Sequence, residues 1–336
     1  MRSLFCLCVL LVCSSASVVG NDEELMGKLK SEGSKGWAFL EEQCFANRHC
    51  IWTEENDQNK DKKEVFRYEF STDSGLFLLK KLRIDDSAGV DVGFPETIVC
   101  LNGKYGFSIL KGQQEQDWRV LFCESRKNVA SRVTQDEEET TISVVKSSFA
   151  IFGRSLGDLL QDDGFVITNI SEENVDGYNM VLFDFSFQPI KGTQKGMFEN
   201  IKKGKVYVMP DNHWAISKVL LDLEREESSG SNKFQNSIVV SYANNVSGSD
   251  CPQMSRVVFS LIRQSGATIS WVSDFEKFEV SNLNKNELLL SHYGIPEPDF
   301  GERPIGWFRF TMMATGVILI GFALWRMYWT HEGNKS

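Results

Sequence analysis

Through the middle of the chain the apolar positions recur with period two. Phe66, Tyr68 and Phe70 alternate with Arg67 and Glu69; Leu76, Leu78, Leu82 and Ile84 keep the period through a basic stretch; Val181, Phe183, Phe185 and Phe187 alternate with Leu182, Asp184 and Ser186. Runs with one polar and one apolar face predict antiparallel sheet covered on one side. Further strands are predicted over Ile98 to Leu110, Trp118 to Glu124, Lys205 to Met209, Trp214 to Glu224, Ser237 to Ala243, Arg256 to Arg263 and Thr268 to Val280. Turn residues punctuate them at Asn102-Gly103, Asp176-Gly177, Pro210-Asp211-Asn212 and Ser265-Gly266, which makes the path a meander.

The period changes at one place. Ile142, Val145, Phe149, Phe152, Leu156 and Leu160 recur at steps of three and four after the acidic run Asp136 to Glu139, and Gly164 follows. This spacing predicts one helix with its acids at the N-terminal end and a glycine stop. A weaker helix is predicted between Glu23 and Phe45, apolar at Leu25, Leu29, Trp37, Leu40 and Cys44, with Gly33 and Gly36 breaking it in two. Both stripes need an apolar surface, and the covered face of the sheet is the large one. The expected fold class is therefore α+β: a long curved antiparallel sheet with one or two helices packed on its concave face.

The two ends are apolar in different ways. Leu4 to Val12 follow Arg2 and run into Ser14, Ser15, Ala16 and Ser17, the layout of a cleaved secretory leader and too short to span a bilayer. Near the other end, Phe310 to Trp325 carry Trp307 and Phe308 on one side and Met327, Tyr328 and Trp329 on the other, long enough for a spanning helix with aromatic belts. The expected organisation is a signal peptide at 1–20, an exported β-rich domain at 21–300, a linker at 301–305, a transmembrane helix at 306–328 and a tail at 329–336. The body then lies outside the cytoplasm, in the periplasm of a bacterial cell, with the C-terminus inside. Cys13 does not make a lipoprotein signal, because the lipobox needs a small residue where Val12 stands.

Charge narrows the partners. Acidic side chains outnumber basic ones 46 to 36, for a net charge of -10, which repels nucleic acid at long range. Cysteines change the picture in the oxidising compartment that the leader implies. Cys44 with Cys50 closes a short loop, Cys100 with Cys123 ties two neighbouring strands, and Cys251 is left over; the alternative is that some are small buried residues. No C-x-x-C occurs and the four histidines lie far apart in the chain, so neither a metal nor a cofactor is expected.

Gly153-Arg154-Ser155-Leu156-Gly157 matches the G-x-S-x-G nucleophile elbow. That motif needs a strand running into a sharp turn before a helix, whereas here it falls inside the helical periodicity, so no catalytic residue and no enzyme activity are expected. Asp162-Asp163 and Asp85-Asp86 read as turn acids. The sequons Asn169-Ile170-Ser171 and Asn245-Val246-Ser247 would suit a eukaryotic type I membrane glycoprotein of the same topology.

The hairpin Gly204-Lys205-Val206-Tyr207-Val208-Met209-Pro210-Asp211-Asn212-His213-Trp214-Ala215-Ile216-Ser217-Lys218-Val219 resembles a two-strand unit of the LolA-like lipoprotein carriers. With helices laid into a curved meander, the whole body resembles their half-barrel. The stretch Leu288-Leu289-Leu290-Ser291-His292-Tyr293-Gly294-Ile295-Pro296-Glu297-Pro298 is similar to the closing segment of uncharacterised exported bacterial proteins. The resemblance implies a concave apolar face that holds an acyl chain, with Phe183, Phe185, Phe187, Val206, Val208, Phe259 and Leu261 as lining. Its partners would be a lipid or an acylated protein, and the membrane through the C-terminal helix. A carrier shuttles, whereas a tethered body stays. The competing expectation is that the same side chains fill a core, leaving a non-catalytic scaffold of the envelope.

Overall fold

A computed structural model describes residues 22–56, 64–84, 96–112, 115–129, 138–175, 177–188, 200–227, 230–243, 251–281 and 283–300. The predicted leader and transmembrane segment lie outside these residues; among the described ones, no helix is long and apolar enough to cross a membrane. The described residues up to 296 form one compact unit; of the second, 297–336, the described residues 297–300 carry no regular structure.

The first unit is built on one antiparallel sheet of thirteen strands. Strands β1 (Arg48–Asn56), β2 (Glu64–Asp73), β3 (Leu76–Ile84), β4 (Glu96–Leu101), β5 (Tyr105–Lys111) and β6 (Arg119–Ser125) step outward to one edge. The chain then passes through helices and the two-stranded β7 (Ala150–Ile151) and β8 (Arg154–Ser155) to the opposite edge. From there β9 (Phe165–Val175), β10 (Tyr178–Phe187), β11 (Ile201–Met209), β12 (Ala215–Glu227), β13 (Gly230–Tyr242), β14 (Met254–Arg263) and β15 (Thr268–Val280) step back until β15 lies beside β1. Every pair in the sheet except β1 with β15 joins consecutive strands, so the α+β meander expected from the alternation is what the chain forms. The sequence reading missed β1 and β9. Both are dominated by polar residues, Thr53 to Asn56 in one and Ser171 to Asn174 in the other, and they hold register through their neighbours (Trp52 opposite Tyr68 and Phe275, Ile170 opposite Phe183).

One face of the sheet, the inner one, carries the helical layer. Leu25, Leu29, Trp37, Leu40 and Cys44 from the N-terminal helix, with Val144, Phe149, Leu156 and Leu159, join Phe183, Phe187, Val206, Val219 and Val257 in one buried cluster. A second cluster on the same face gathers Cys50, Trp52, Tyr68, Phe70, Phe77 and Leu79 under Val129 and Val145. Phe45 bridges the two, its ring 5.9 Å from that of Phe70 and 6.1 Å from that of Phe149.

Three expectations need correction. The helix predicted over Ile142 to Leu160 is two short ones, Glu138–Val145 and Leu156–Leu160, separated by the β7–β8 hairpin. Phe152 and Gly153 take positive φ (46° and 80°) at its tip, a two-residue turn that breaks any helix, while the apolar side chains still reach the core. Gly33 and Gly36 do not break the N-terminal helix, which runs from 22 to 45 with π-type stretches at Leu29–Gly33 and Leu40–Phe45. At Gly36 a Cβ would collide with the His213 carbonyl oxygen, so glycine allows a close approach of helix to hairpin. There the indole N–H of Trp37 donates to the Trp214 carbonyl at 2.8 Å, Phe39 stacks on His213, and His213 and Trp214 are held at positive φ.

The third correction concerns the disulfides. Cys44 bonds Cys251, across 207 residues of sequence, and ties the end of the N-terminal helix to the start of β14. Cys50 cannot take Cys44, because it faces the second cluster on β1 and is fully buried there. Cys100 and Cys123 both lie opposite Phe107, on the two sides of β5. Two strand spacings put their backbones roughly 10 Å apart, beyond the reach of about 7 Å that a disulfide allows.

β3 also reverses part of the alternation reading. Its inner face is Phe77 and Leu79, while Leu78 points to the other side, where Ile98, Cys100, Tyr105, Phe107 and Ile109 form a third cluster. That outer cluster is closed by the segment from Leu283 to Ile295, with Leu288 and Leu290 buried. Asn102 donates its amide to the Leu288 carbonyl at 2.8 Å, the Leu290 amide donates to the Tyr105 hydroxyl at 3.2 Å, and Tyr293 packs edge-on against Trp118. The closing stretch singled out in the sequence is thus a strap across the outside of β3–β5.

Candidate ligand-binding face

The seven residues expected to line a cavity share the inner face but not one environment. Phe183, Phe185, Phe187, Val206 and Val208 are at most 3% exposed, packed within the helix-covered cluster. Phe165 stacks on Phe185 with ring centroids 4.6 Å apart, and Phe185 lies over Gly204, where a Cβ would meet its ring at 2.7 Å. This end of the face is filled by protein. Phe259 and Leu261 differ, for they lean on the same cluster yet keep part of their surface in solvent.

Register shows what surrounds those two. Phe259 faces Trp271 and Leu261 faces Ile269 across β14 and β15, and all four side chains are partly exposed. Phe234, on the adjacent strand β13, is also part exposed and packed on the core. One strand on, Glu54 stands between Ser273 of β15 and Phe66 of β2. The apolar face therefore continues beyond its helical cover as a half-buried aromatic and aliphatic strip, with polar groups entering along β1 to β3.

Those polar groups are set in apolar surroundings. Burial pushes the Glu54 carboxyl above its usual range, against the opposing influence of Lys81 and of hydrogen bonds from Ser273 and Tyr68; the Ser273 hydroxyl lies 3.4 Å from Oε2. The Lys81 ammonium sits over the Phe66 ring at 4.6 Å and the Tyr68 ring at 5.6 Å. Trp52 stacks on Tyr68 at 5.0 Å, and its buried indole N–H has no hydrogen-bond partner among the described residues. Alternation in β10 pointed to the packed aromatics, but it gave no signal for this mixed strip, because its members come a few at a time from six strands.

The remaining candidates have local roles. Ser155 ends β8 and precedes a helix, so a strand does enter the G-x-S-x-G stretch, contrary to the sequence reading. Its backbone is ordinary extended chain (φ -62°, ψ 143°) and its hydroxyl caps the helix by accepting from the Asp158 amide. Asp162 pairs with Arg154 at 2.8 Å and accepts from the Gly164 amide, as a turn acid does. Asn169 is exposed on the edge strand β9 and donates to Asp184; Asn245 and Asp85-Asp86 lie outside the described residues. Among the described residues no three His, Cys, Asp or Glu side chains gather as a metal site would require.

No protein-family model matches the sequence, and no curated protein matches it. Solved structures show a distant likeness in fold. A DUF1329 family protein from Desulfovibrio piger aligns over 78% of this chain and 97% of its own, at 11% identity and a TM-score of 0.42. A LolA superfamily protein from Nitrosomonas europaea aligns over 77% of this chain and 97% of its own, at 9% identity and a TM-score of 0.39. LprF from Mycobacterium bovis gives 75%, 96%, 9% and 0.29 for the same measures. Likeness at this level does not place the chain in a family.

Proposed function

We propose that the protein is a non-catalytic, extracytoplasmic binding module, tethered to the cell membrane by its C-terminal segment, that takes the acyl chain of a lipid or of an acylated protein. The observation that carries this reading is a part-exposed strip in which Phe234, Phe259 and Leu261 lean on the core and Ile269 and Trp271 lie opposite the last two on β15. A protein that only needed a core would gain by covering such a strip, since apolar area left in water forgoes about 25 cal/mol per Å². The leader and terminal apolar segment in the sequence supply the compartment and the tether. Native mass spectrometry of the full chain, isolated from its host membranes without added lipid, is expected to show an acyl-bearing mass bound at one per chain. Paired Phe259→Asp and Leu261→Asp substitutions should remove that mass. A bare chain in the wild type would favour the scaffold reading instead, for which the filled packing around Phe183, Phe185 and Phe187 is the supporting observation.

A further inference from the structure

We infer that Lys81, with Glu54 beside it, anchors the carboxyl oxygen at the head of an acyl ligand whose hydrocarbon lies on the strip through Phe259 and Trp271. The inference rests on the acyl-binding reading and adds to it the place and chemistry of the head group.

The placement comes from the ladder. Trp52, Tyr68 and Lys81 lie directly opposite one another across β1, β2 and β3, and Glu54 is the next residue on the same face of β1, opposite Phe66 and Ser273. The polar groups thus stand at one end of the strip. No carboxylate among the described residues lies within ion-pair distance of Lys81, although the chain carries an excess of acids; its ammonium rests on two aromatic rings. A half-buried ammonium over two ring faces, with Glu54 as its charged neighbour, retains N–H donors for another acceptor.

A neighbour has the same bias: the unpartnered N–H of Trp52 is a donor. Glu54 stands on the same face, its carboxyl raised by burial and already accepting from the Ser273 hydroxyl. Donors gathered beside an apolar strip suit a group that only accepts, joined to a hydrocarbon chain. A fatty carboxylate meets this description, and so does the ester carbonyl of an acylated lipid or protein. A cationic or amine head does not.

The test uses the full chain in its membrane with a photoactivatable diazirine fatty acid, followed by mapping of the labelled peptide. Labelling is expected on the peptide that contains Phe259 or Trp271. Lys81→Met, which keeps the side-chain length but removes the charge, should lower it about tenfold, the size of a charge-assisted hydrogen bond. Lys81→Arg should retain it, which separates loss of the anchor from loss of the fold. Competition by unlabelled palmitate but not by methyl palmitate would assign a free carboxylate; competition by both would assign an ester carbonyl. Equal labelling in Lys81→Met and the wild type overturns the anchor and leaves acyl binding standing. Absence of any label on this face in the wild type rejects both.

Discussion

The two halves of the sheet are covered differently. Strands β3 to β5 lie between two layers, the inner cluster beneath Val129 and Val145 and the outer cluster closed by the strap from Leu283 to Ile295. Strands β10 to β13 have their inner face packed and their outer face in water, where Lys205 pairs with Asp184 at 3.4 Å and Lys203 with Asp222 at 3.2 Å along a groove of about 580 Å³. The difference shows in the sequence. Burial on both sides turns a strand into a continuous apolar run, as in Leu76-Phe77-Leu78-Leu79, whereas one-sided burial preserves alternation, as in Val181 to Phe187. The strap covers one half on its outer side, and the part-exposed strip lies beyond it, on β13 to β15.

The largest expected effect tests the link between the helical layer and the β9–β15 half. Joint Cys44→Ser and Cys251→Ser substitution removes a cross-link over 207 residues, for which the chain-entropy view gives about 5 kcal/mol of lost stability. Urea unfolding of the double variant should show a much lower midpoint. An unchanged midpoint would mean that the helices are held by packing alone.

Next in size is the strap. Leu288 is 3% exposed, and Leu288→Ala should cost about 2 to 5 kcal/mol through lost burial and a residual cavity. The comparison predicts where the loss appears. Hydrogen exchange should quicken in β3, β4 and β5 and stay as slow as before in β10 to β13. Uniform quickening would show that the halves unfold together and that the strap is not a separate layer.

Gly36 sharpens the same boundary from the inner side. A methyl group there would press on the His213 carbonyl, so Gly36→Ala should lift the helix from the β11–β12 turn and cost about 1 to 3 kcal/mol by overpacking. The exchange change should then fall on β11 and β12. Protection lost first in β3 to β5 would contradict the docking described here.

These substitutions also mark how far the sequence could be read. The one-sided strands were legible from Phe183, Phe185 and Phe187, since their apolar and polar positions separate cleanly. The strap was noticed only as a stretch of residues, because nothing in Leu288 to Pro298 shows which surface it covers. Phe149, Phe152 and Leu156 kept helical spacing through a hairpin, since a tight turn between two short helices can return side chains to the same face. The Cys44–Cys251 bond joins residues whose neighbourhood is set by the return of β14 beside β15 and β1, a long-range result of strand order. Glu54 and Lys81 escaped for the same reason, being neighbours only through the ladder.

The smallest effect concerns the ion pairs that fasten the strap. The Lys80 amine lies 2.7 Å from Glu287 of the strap and 3.5 Å from Glu69 of β2. Burial works to raise the Glu287 carboxyl, but the hydrogen bond and charge of Lys80, with smaller help from Asn284 and His292, together leave the group below its usual range. Burial lowers the Lys80 ammonium in turn, and its two carboxylate partners more than reverse this. A carboxyl with a depressed folded value binds its proton less readily in the folded state than in the unfolded one. Its stabilisation is therefore present above the unfolded value of about 4.3 and is lost as pH falls through the lower folded value. The Lys80 contribution runs the other way, present below about 10.4 and lost at higher pH. Glu287→Gln should accordingly cost about 0.5 to 1 kcal/mol at pH 7, a modest amount because the pair is partly exposed, and the gap to the wild type should close as pH falls through the lowered folded value of Glu287. A gap between variant and wild type that persists undiminished at low pH would mean that Glu287 fastens the strap by its shape and not by its charge.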